Sequence, residues 1–341
     1  MVRTLKIKNY KSIKDISLHP KRVNIFIGEH NSGKSNILEA LSWFSVNALE
    51  KAIFSQLFRF KNAGNFFFDF DSTQTIEVTT DDWALKIRYA RNSQGALLNH
   101  FEGIIYKTMT GIIDPQRWDK NSENSFLFNL DFQQNNVAEP RGIIDTAFRT
   151  YSFKRQISFS NNYRPYLNPP FGENIPTLLL SNKELRQIVS DFFRSKDHRL
   201  VMKPNENDIE MAKDVNDDLY SFPFVTISET MQRYIFGMLA IRSNKDAVLI
   251  MDEPETNMFP FFVKDFSESI ADDESNQFFI TTHNPFMLGS LLEKTPLKDL
   301  AVFITSMKNY ETHVQECTTD QIREIISLGS GALFNLDNII D

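Results

Sequence analysis

Gly28-Glu29-His30-Asn31-Ser32-Gly33-Lys34-Ser35 decides the reading of this chain. It follows the apolar run Arg22-Val23-Asn24-Ile25-Phe26-Ile27 and precedes Ile37, Leu38, Leu41 and Phe44, which recur at helical spacing. The short run predicts a strand buried on both faces, and the spacing predicts a helix from about Lys34. A strand, a G-x-x-x-x-G-K-[ST] turn and a helix form a cradle for phosphate. Gly28 and Gly33 allow backbone conformations that turn successive N–H groups toward one point. Lys34 supplies a cation for the β- and γ-phosphates, and Ser35 offers a hydroxyl to Mg²⁺. The candidate binding residues are therefore Gly28, Glu29, His30, Asn31, Ser32, Gly33, Lys34, Ser35 and Asn36. At His30 the backbone is expected to matter and the side chain not.

Outward from the loop, Val248-Leu249-Ile250-Met251-Asp252-Glu253 is an apolar strand ending in two carboxylates. Strand ends often carry a solvated Asp-Glu pair. Beside a phosphate loop, Asp252 can hold Mg²⁺ through water and Glu253 can polarise an attacking water. Ile280-Thr281-Thr282-His283 closes the next strand and brings His283 to the same sheet edge, within reach of the γ-phosphate. Ser228-Glu229-Thr230-Met231-Gln232-Arg233 opens an apolar-faced helix. Ser228 reads either as a plain N-cap or as part of a helix N-terminus offered to the phosphate bound by a second subunit.

The rest of the chain supports a folded α/β protein. It has 341 residues, 41% hydrophobic and 24% charged, a formal charge of −7, 31 Phe and only 12 Gly. Glycine stands at about half its usual share of ~7%, so each one is more apt to sit where only glycine fits. An acidic balance argues against a protein coated over its whole surface by nucleic acid. The single Cys317 excludes an intrachain disulfide and fits a reducing, cytoplasmic setting. The N-terminus alternates apolar and charged residues like a strand, and no apolar run approaches a membrane span.

Residues 66–70 and the pair 75–79 and 84–89 have strand composition. Residues 92–217 read as a mostly helical insertion, with their best helix over 182–194. Residues 222–227 read as a strand leading into a helix over about 229–243. Strands at 247–251, 277–281 and 300–305 then alternate with helices at about 260–272 and 285–293, the grammar of a parallel sheet. Three parts follow: 1–91 and 218–341 as halves of one core, and 92–217 as an insertion or lid.

Taken in order, the loop at 28–35, the segment from Ser228 to Arg233, Asp252-Glu253-Pro254-Glu255 and Thr282-His283-Asn284-Pro285 resemble the Walker A, signature, Walker B with D-loop and His-switch motifs of ABC-type ATPases. Within that class the chain resembles the SMC, RecF and OLD kind, and especially bacterial AAA family ATPases. The opening Lys8-Asn9-Tyr10-Lys11-Ser12-Ile13-Lys14-Asp15 is similar to that group's usual start. The resemblance implies an ABC-ATPase-type P-loop fold with a mixed sheet and an antiparallel β subdomain. It implies ATP and Mg²⁺ as cofactors, Asp252 and Ser35 as metal ligands, Glu253 as general base, Lys34 and His283 on the phosphates, and Ser228 acting across a head-to-head homodimer. One departure is Thr230, which stands where related ATPases usually carry glycine. For the Q-loop glutamine, Gln56 and Gln74 are both candidates.

The 58 residues after His283 read as two strands and a helix that finish the core, with no room for a nuclease domain. Effector chemistry is then expected from a separate nuclease or toxin-like protein, as in two-gene phage-defence systems. Residues 140–203 hold eleven basic against five acidic side chains, interleaved with aromatics. They read as a solvated face, a protein-docking surface, or a site for a DNA or phage-protein trigger. The expected function is an ATPase that dimerises through nucleotide and controls an effector in defence. The alternatives are a RecF-like DNA repair ATPase and a regulatory scaffold that binds ATP with little hydrolysis.

Overall fold

The strand before the phosphate loop is the centre of the molecule. The computed structural model describes residues 1–45, 51–91, 97–108, 125–131, 137–141, 146–334 and 336–339. Its strands are β1 (Leu5–Tyr10), β2 (Ile13–Leu18), β3 (Val23–Gly28), β4 (Ile76–Thr80), β5 (Trp83–Arg91), β6 (Leu97–Lys107), β7 (Ser125–Asp131) and β8 (Val137–Arg141). They continue with β9 (Phe148–Tyr151), β10 (Arg199–Lys203), β11 (Asp208–Val215), β12 (Asp218–Pro223), β13 (Val248–Asp252), β14 (Gln277–Thr281), β15 (Leu300–Lys308) and β16 (Glu311–Glu316). The main helices are α1 (Lys34–Ser42), α2 (Lys51–Leu57), α3 (Ile175–Ser181), α4 (Lys183–Arg194), α5 (Glu229–Arg242), α6 (Pro260–Asp272), α7 (Pro285–Lys294) and α8 (Thr319–Leu328).

A six-stranded sheet runs β16-β15-β3-β14-β13-β9. β15, β3, β14, β13 and β9 are parallel, and β16 closes one edge antiparallel. Every residue of β3 is buried. Because side chains alternate across a strand, Val23, Ile25 and Ile27 of β3 and Leu249 and Met251 of β13 enter one core with α4, α5, α6 and α7. Phe26, Ile250, Phe279 and Phe303 enter the other, with α1 and the second sheet. That second sheet is antiparallel, ordered β2-β1-β4-β5-β6-β7-β8. Phenylalanines crowd its core, where Trp43 is ringed by Phe54, Phe58, Phe66 and Phe128.

The hairpin β4–β5, the parallel-sheet alternation and helices α1, α4, α5, α6 and α7 match the sequence-based expectations. Three readings need correction. Residues 66–70 are not a strand: Ala63–Phe66 and Phe68–Phe70 are 3₁₀ turns, with only Phe67 bridging to Tyr10. Phe66 and Phe67 are both buried in succession, which a pleated strand facing one core does not allow. The strand placed over 222–227 ends at Pro223, and Phe224–Thr226 turns as a 3₁₀ helix.

The third correction concerns 92–217, whose described residues are richer in strand than in helix. β6, β7 and β8 extend the antiparallel sheet, β9 joins the main sheet, and β10-β11-β12 form a small sheet of their own, with α3 and α4 as the helices. Gly103 in the middle of β6 conceals the strand signal. A Cβ there would stand 2.1 Å from the Phe128 ring, so glycine makes room for a cross-strand aromatic. Hydrogen-bonded pairing crosses residue 92 through β5–β6 and residue 217 through β11–β12.

Candidate functional site

The loop from Gly28 to Ser35 joins the end of β3 to α1. Gly28 has φ +148° and Gly33 φ +95°, and Cβ atoms at these two sites would stand 2.2 Å from the Thr305 carbonyl oxygen and 2.0 Å from Thr312 Oγ1. The first turn of α1 carries no acidic residue to repel an anion drawn to its N-terminal dipole. Lys34 is buried, and its Nζ donates to the carbonyl oxygens of Gly28 (2.9 Å) and Glu29 (2.6 Å). Burial pulls its pKa down, against the opposing pull of Glu253, Asp252 and Glu29.

Asp252 ends β13 directly beside the loop. Its Oδ1 accepts from Ser35 Oγ at 3.1 Å and from Thr281 Oγ1 at 2.5 Å. Ser35 and Asp252 thus present adjacent oxygens, the donor type a Mg²⁺ ion takes when phosphate and water complete its shell. Among the described residues no cluster of three His, Cys, Asp or Glu stands as an all-protein metal cage. Bound at Ser35 and Asp252, Mg²⁺ would neutralise developing phosphate charge.

Glu253 sits at φ +46°, held by its backbone N–H donating to Thr281 Oγ1 at 2.9 Å. Its Oε1 lies 3.1 Å from His283 Nε2. Burial, and then the Lys34 charge, lower the His283 pKa, favouring a neutral imidazole whose Nε2–H donates to Glu253. His283 is presented by a short link: Asn284 caps α7 by accepting from the Phe286 and Met287 N–H groups, and Pro285 opens the helix.

A cleft of about 420 Å³ gathers these groups apart from Gly28, Glu29 and Asp252, the last meeting its wall at Ser35. Among its lining residues are His30, Lys34, Ser35, Asn36, Glu253 and His283. The ring of His30, a residue expected to matter only through its backbone, stacks on His283 with centroids 4.7 Å apart. Sequence reasoning also missed Ser12, Arg59 and Met307 on the cleft wall. Ser12 lies in the Lys8–Asp15 stretch and accepts from Asn36 Nδ2 at 2.8 Å, so that stretch was the available signal. Arg59 and Met307 carry no motif.

Ser228 is exposed at the N-cap of α5, its side chain makes no capping hydrogen bond, and it does not line this cleft. Thr230 donates to the Asn257 carbonyl oxygen at 2.8 Å. Neither Gln56 nor Gln74 lines the cleft, and Gln56 accepts from Lys154 at 2.6 Å. In the basic stretch, Arg141's side chain and residues 142–145 lie outside the described residues. Elsewhere in it Arg155 donates to the Val225 carbonyl, Arg149 stacks on Tyr166, and Arg194, Arg199 and Lys203 pair with Asp191, Asp214 and Glu210. Tyr151 is buried, and Phe153 and Phe159 pack on the core.

A phosphate loop between a buried central strand and a helix, with a carboxylate-ended strand beside it in a mixed sheet, defines a P-loop fold of the ABC-ATPase type. Residues 1–221 match the AAA ATPase domain family, and the chain belongs to it. Among solved structures it is similar to an SMC head bound to the C-winged helix domain of ScpA, at 13% identity and TM-score 0.51, covering 95% of this chain and 99% of that one. It is also similar to the SMC head domain from Thermotoga maritima, at 11% identity and TM-score 0.42, covering 93% and 99%. Among the described residues no helix is long and apolar enough to cross a membrane.

Proposed function

We propose that this protein binds ATP with Mg²⁺ in the cleft at the C-terminal edge of its parallel sheet and hydrolyses it. The observation that carries the reading is the pairing of Glu253 with His283 on one side of Asp252 and Ser35, with Lys34 in the same cleft. Glu253 accepts a proton from the attacking water, His283 holds that carboxylate in place, and Lys34 balances charge growing on the phosphoryl oxygens. Ser35 and Asp252 would hold the cation, Mg²⁺ supplying charge neutralisation on the phosphates. The loop N–H groups and the α1 N-terminus bind the remaining phosphates.

ATP-dependent association of two copies and control of a separate effector, in defence against phage, complete the reading. The exposed Ser228, outside its own chain's cleft, supports a role for the signature segment toward a second copy. Binding of a partner by an SMC head offers a parallel for effector control. A DNA-loading role draws less support, because the cations of 140–203 named above are engaged within the chain. Cytoplasmic location goes with the buried thiol of Cys317, which burial pushes up to about 12.

The test pairs two variants. Glu253→Gln is expected to bind ATP as wild type does and lose turnover by at least about a hundredfold; Lys34→Ala is expected to lose ATP binding. Equal turnover in Glu253→Gln and wild type would defeat the assignment. For the defence role, plaque counts on a host carrying the gene with its neighbouring reading frame should fall, and only when both are present.

A further inference from the structure

Two residues beyond Glu253, Glu255 is only 5% exposed. A carboxyl group in such a place must be held by hydrogen bonds. Its Oε1 accepts from Thr282 Oγ1. Thr282 is itself fully buried, and its Oγ1 accepts from the Asn284 N–H at 3.0 Å, so its one proton goes to Glu255. Oε2 has no partner.

These contacts form a closed circuit. Thr282-His283-Asn284 links β14 to α7, and Glu255 grips this link by the Thr282 hydroxyl. Glu253, on the same short turn, meets the side chain of that histidine at 3.1 Å. Two carboxyl groups two residues apart therefore hold the ring of one histidine and the hydroxyl of the residue before it. Burial raises the Glu255 carboxyl to about 7, and Oε1 remains an acceptor in either protonation state.

We propose that Glu255 is a positioning residue: its carboxyl group fixes the buried Thr282 hydroxyl at the start of the link that carries His283, and so keeps the imidazole against Glu253. The effect on turnover rests on the ATPase reading above; the effect on the histidine does not. Glu255→Gln keeps an acceptor at Oε1. Glu255→Ala and Thr282→Val each break the contact, the second while keeping the shape of the threonine.

Turnover and ring NMR signals are to be measured for all three variants. Glu255→Ala and Thr282→Val should lower kcat by roughly tenfold or more while the KM for ATP moves by less than about twofold, and Glu255→Gln should stay within about threefold of wild type. The His283 ring signal, assigned by its disappearance in His283→Gln and recorded without nucleotide, should move in Glu255→Ala and Thr282→Val and stay in Glu255→Gln. If Glu255→Ala does not fold, Thr282→Val carries both measurements. Failure of the wild type to hydrolyse ATP would count against the ATPase reading, and the ring signal would still decide this one. An unmoved ring signal in Thr282→Val, or a kcat loss shared by Glu255→Gln, would overturn it.

Discussion

At the scale of single residues, Gly33 shows what the loop demands. Its φ of +95° is one that side chains rarely adopt, and the Thr312 side chain already fills the space a Cβ would take. Thr312 belongs to β16 and shares a 2.6 Å hydrogen bond with Ser12, so a displaced loop disturbs both walls of the cleft. Gly33→Ala is therefore expected to weaken ATP binding by at least about tenfold, of the order of strain and contact loss together. Titration with a fluorescent nucleotide checks this, and wild-type affinity would show that β16 yields. Glu255 gives the pH counterpart. Its folded pKa of about 7 lies above the ordinary 4.5, chiefly through burial, with the Thr282 donor opposing the rise and nearby Glu253 adding to it. The unfolded chain releases this proton more readily, so the contribution to stability is complete below about pH 4.5 and is lost as pH rises through about 7. Glu255→Gln should remove that slope and be the more stable protein at pH 8 by on the order of 3 kcal/mol, read from urea midpoints at both ends of the range.

At the scale of elements, α1 is anchored by the buried carboxylate of Glu39. Glu39 on α1 accepts from the Tyr10 hydroxyl at 2.8 Å and pairs with Lys11, which burial holds below the usual lysine pKa, and with Arg59 at 3.4 Å. Arg59 is well exposed and its ion pair contributes little, so the Lys11 and Tyr10 contacts carry the effect. Glu39→Ala leaves Lys11 as a buried charge without its partner and should destabilise the protein by about 3 kcal/mol, visible as a lower urea midpoint. The sequence shows none of this, because Tyr10, Lys11 and Glu39 meet only once β1 and α1 are packed. What could be read directly were elements whose own pattern suffices: β3, buried on both faces, α4 with its Asn182 cap, and the β13–α6–β14–α7–β15 alternation. The elements that escaped reading draw their pattern from partners. β6 hides behind Gly103, which serves Phe128, and 66–70 borrows strand composition for residues that fill a gap beside Trp43. The phosphate loop, Asp252 and Glu253 were legible because a motif fixes their neighbours along the chain. Arg59, Met307 and the His30–His283 stack were not, because nothing local marks them.

At the scale of the whole molecule, the question is why a chain with a complete phosphate loop, Asp252, Glu253 and His283 should also carry the segment at Ser228. Within one copy Ser228 is exposed at the head of α5 and outside the cleft. If two copies face each other through ATP, each cleft receives the other copy's Ser228 segment, and each dimer holds two composite sites. That geometry separates the damage done by two variants. Lys34→Ala disables the cleft of its own chain, whereas Ser228→Arg disables the cleft of the opposite chain. Each variant alone should be inactive. Mixed one to one, half of the dimers contain one chain of each kind; in these, one site carries both defects and the other carries none. About a quarter of wild-type turnover should then return on mixing, provided chains exchange freely. Activity that stays at zero would place Ser228 in service of its own chain, and activity present in Ser228→Arg alone would remove the signature segment from catalysis altogether.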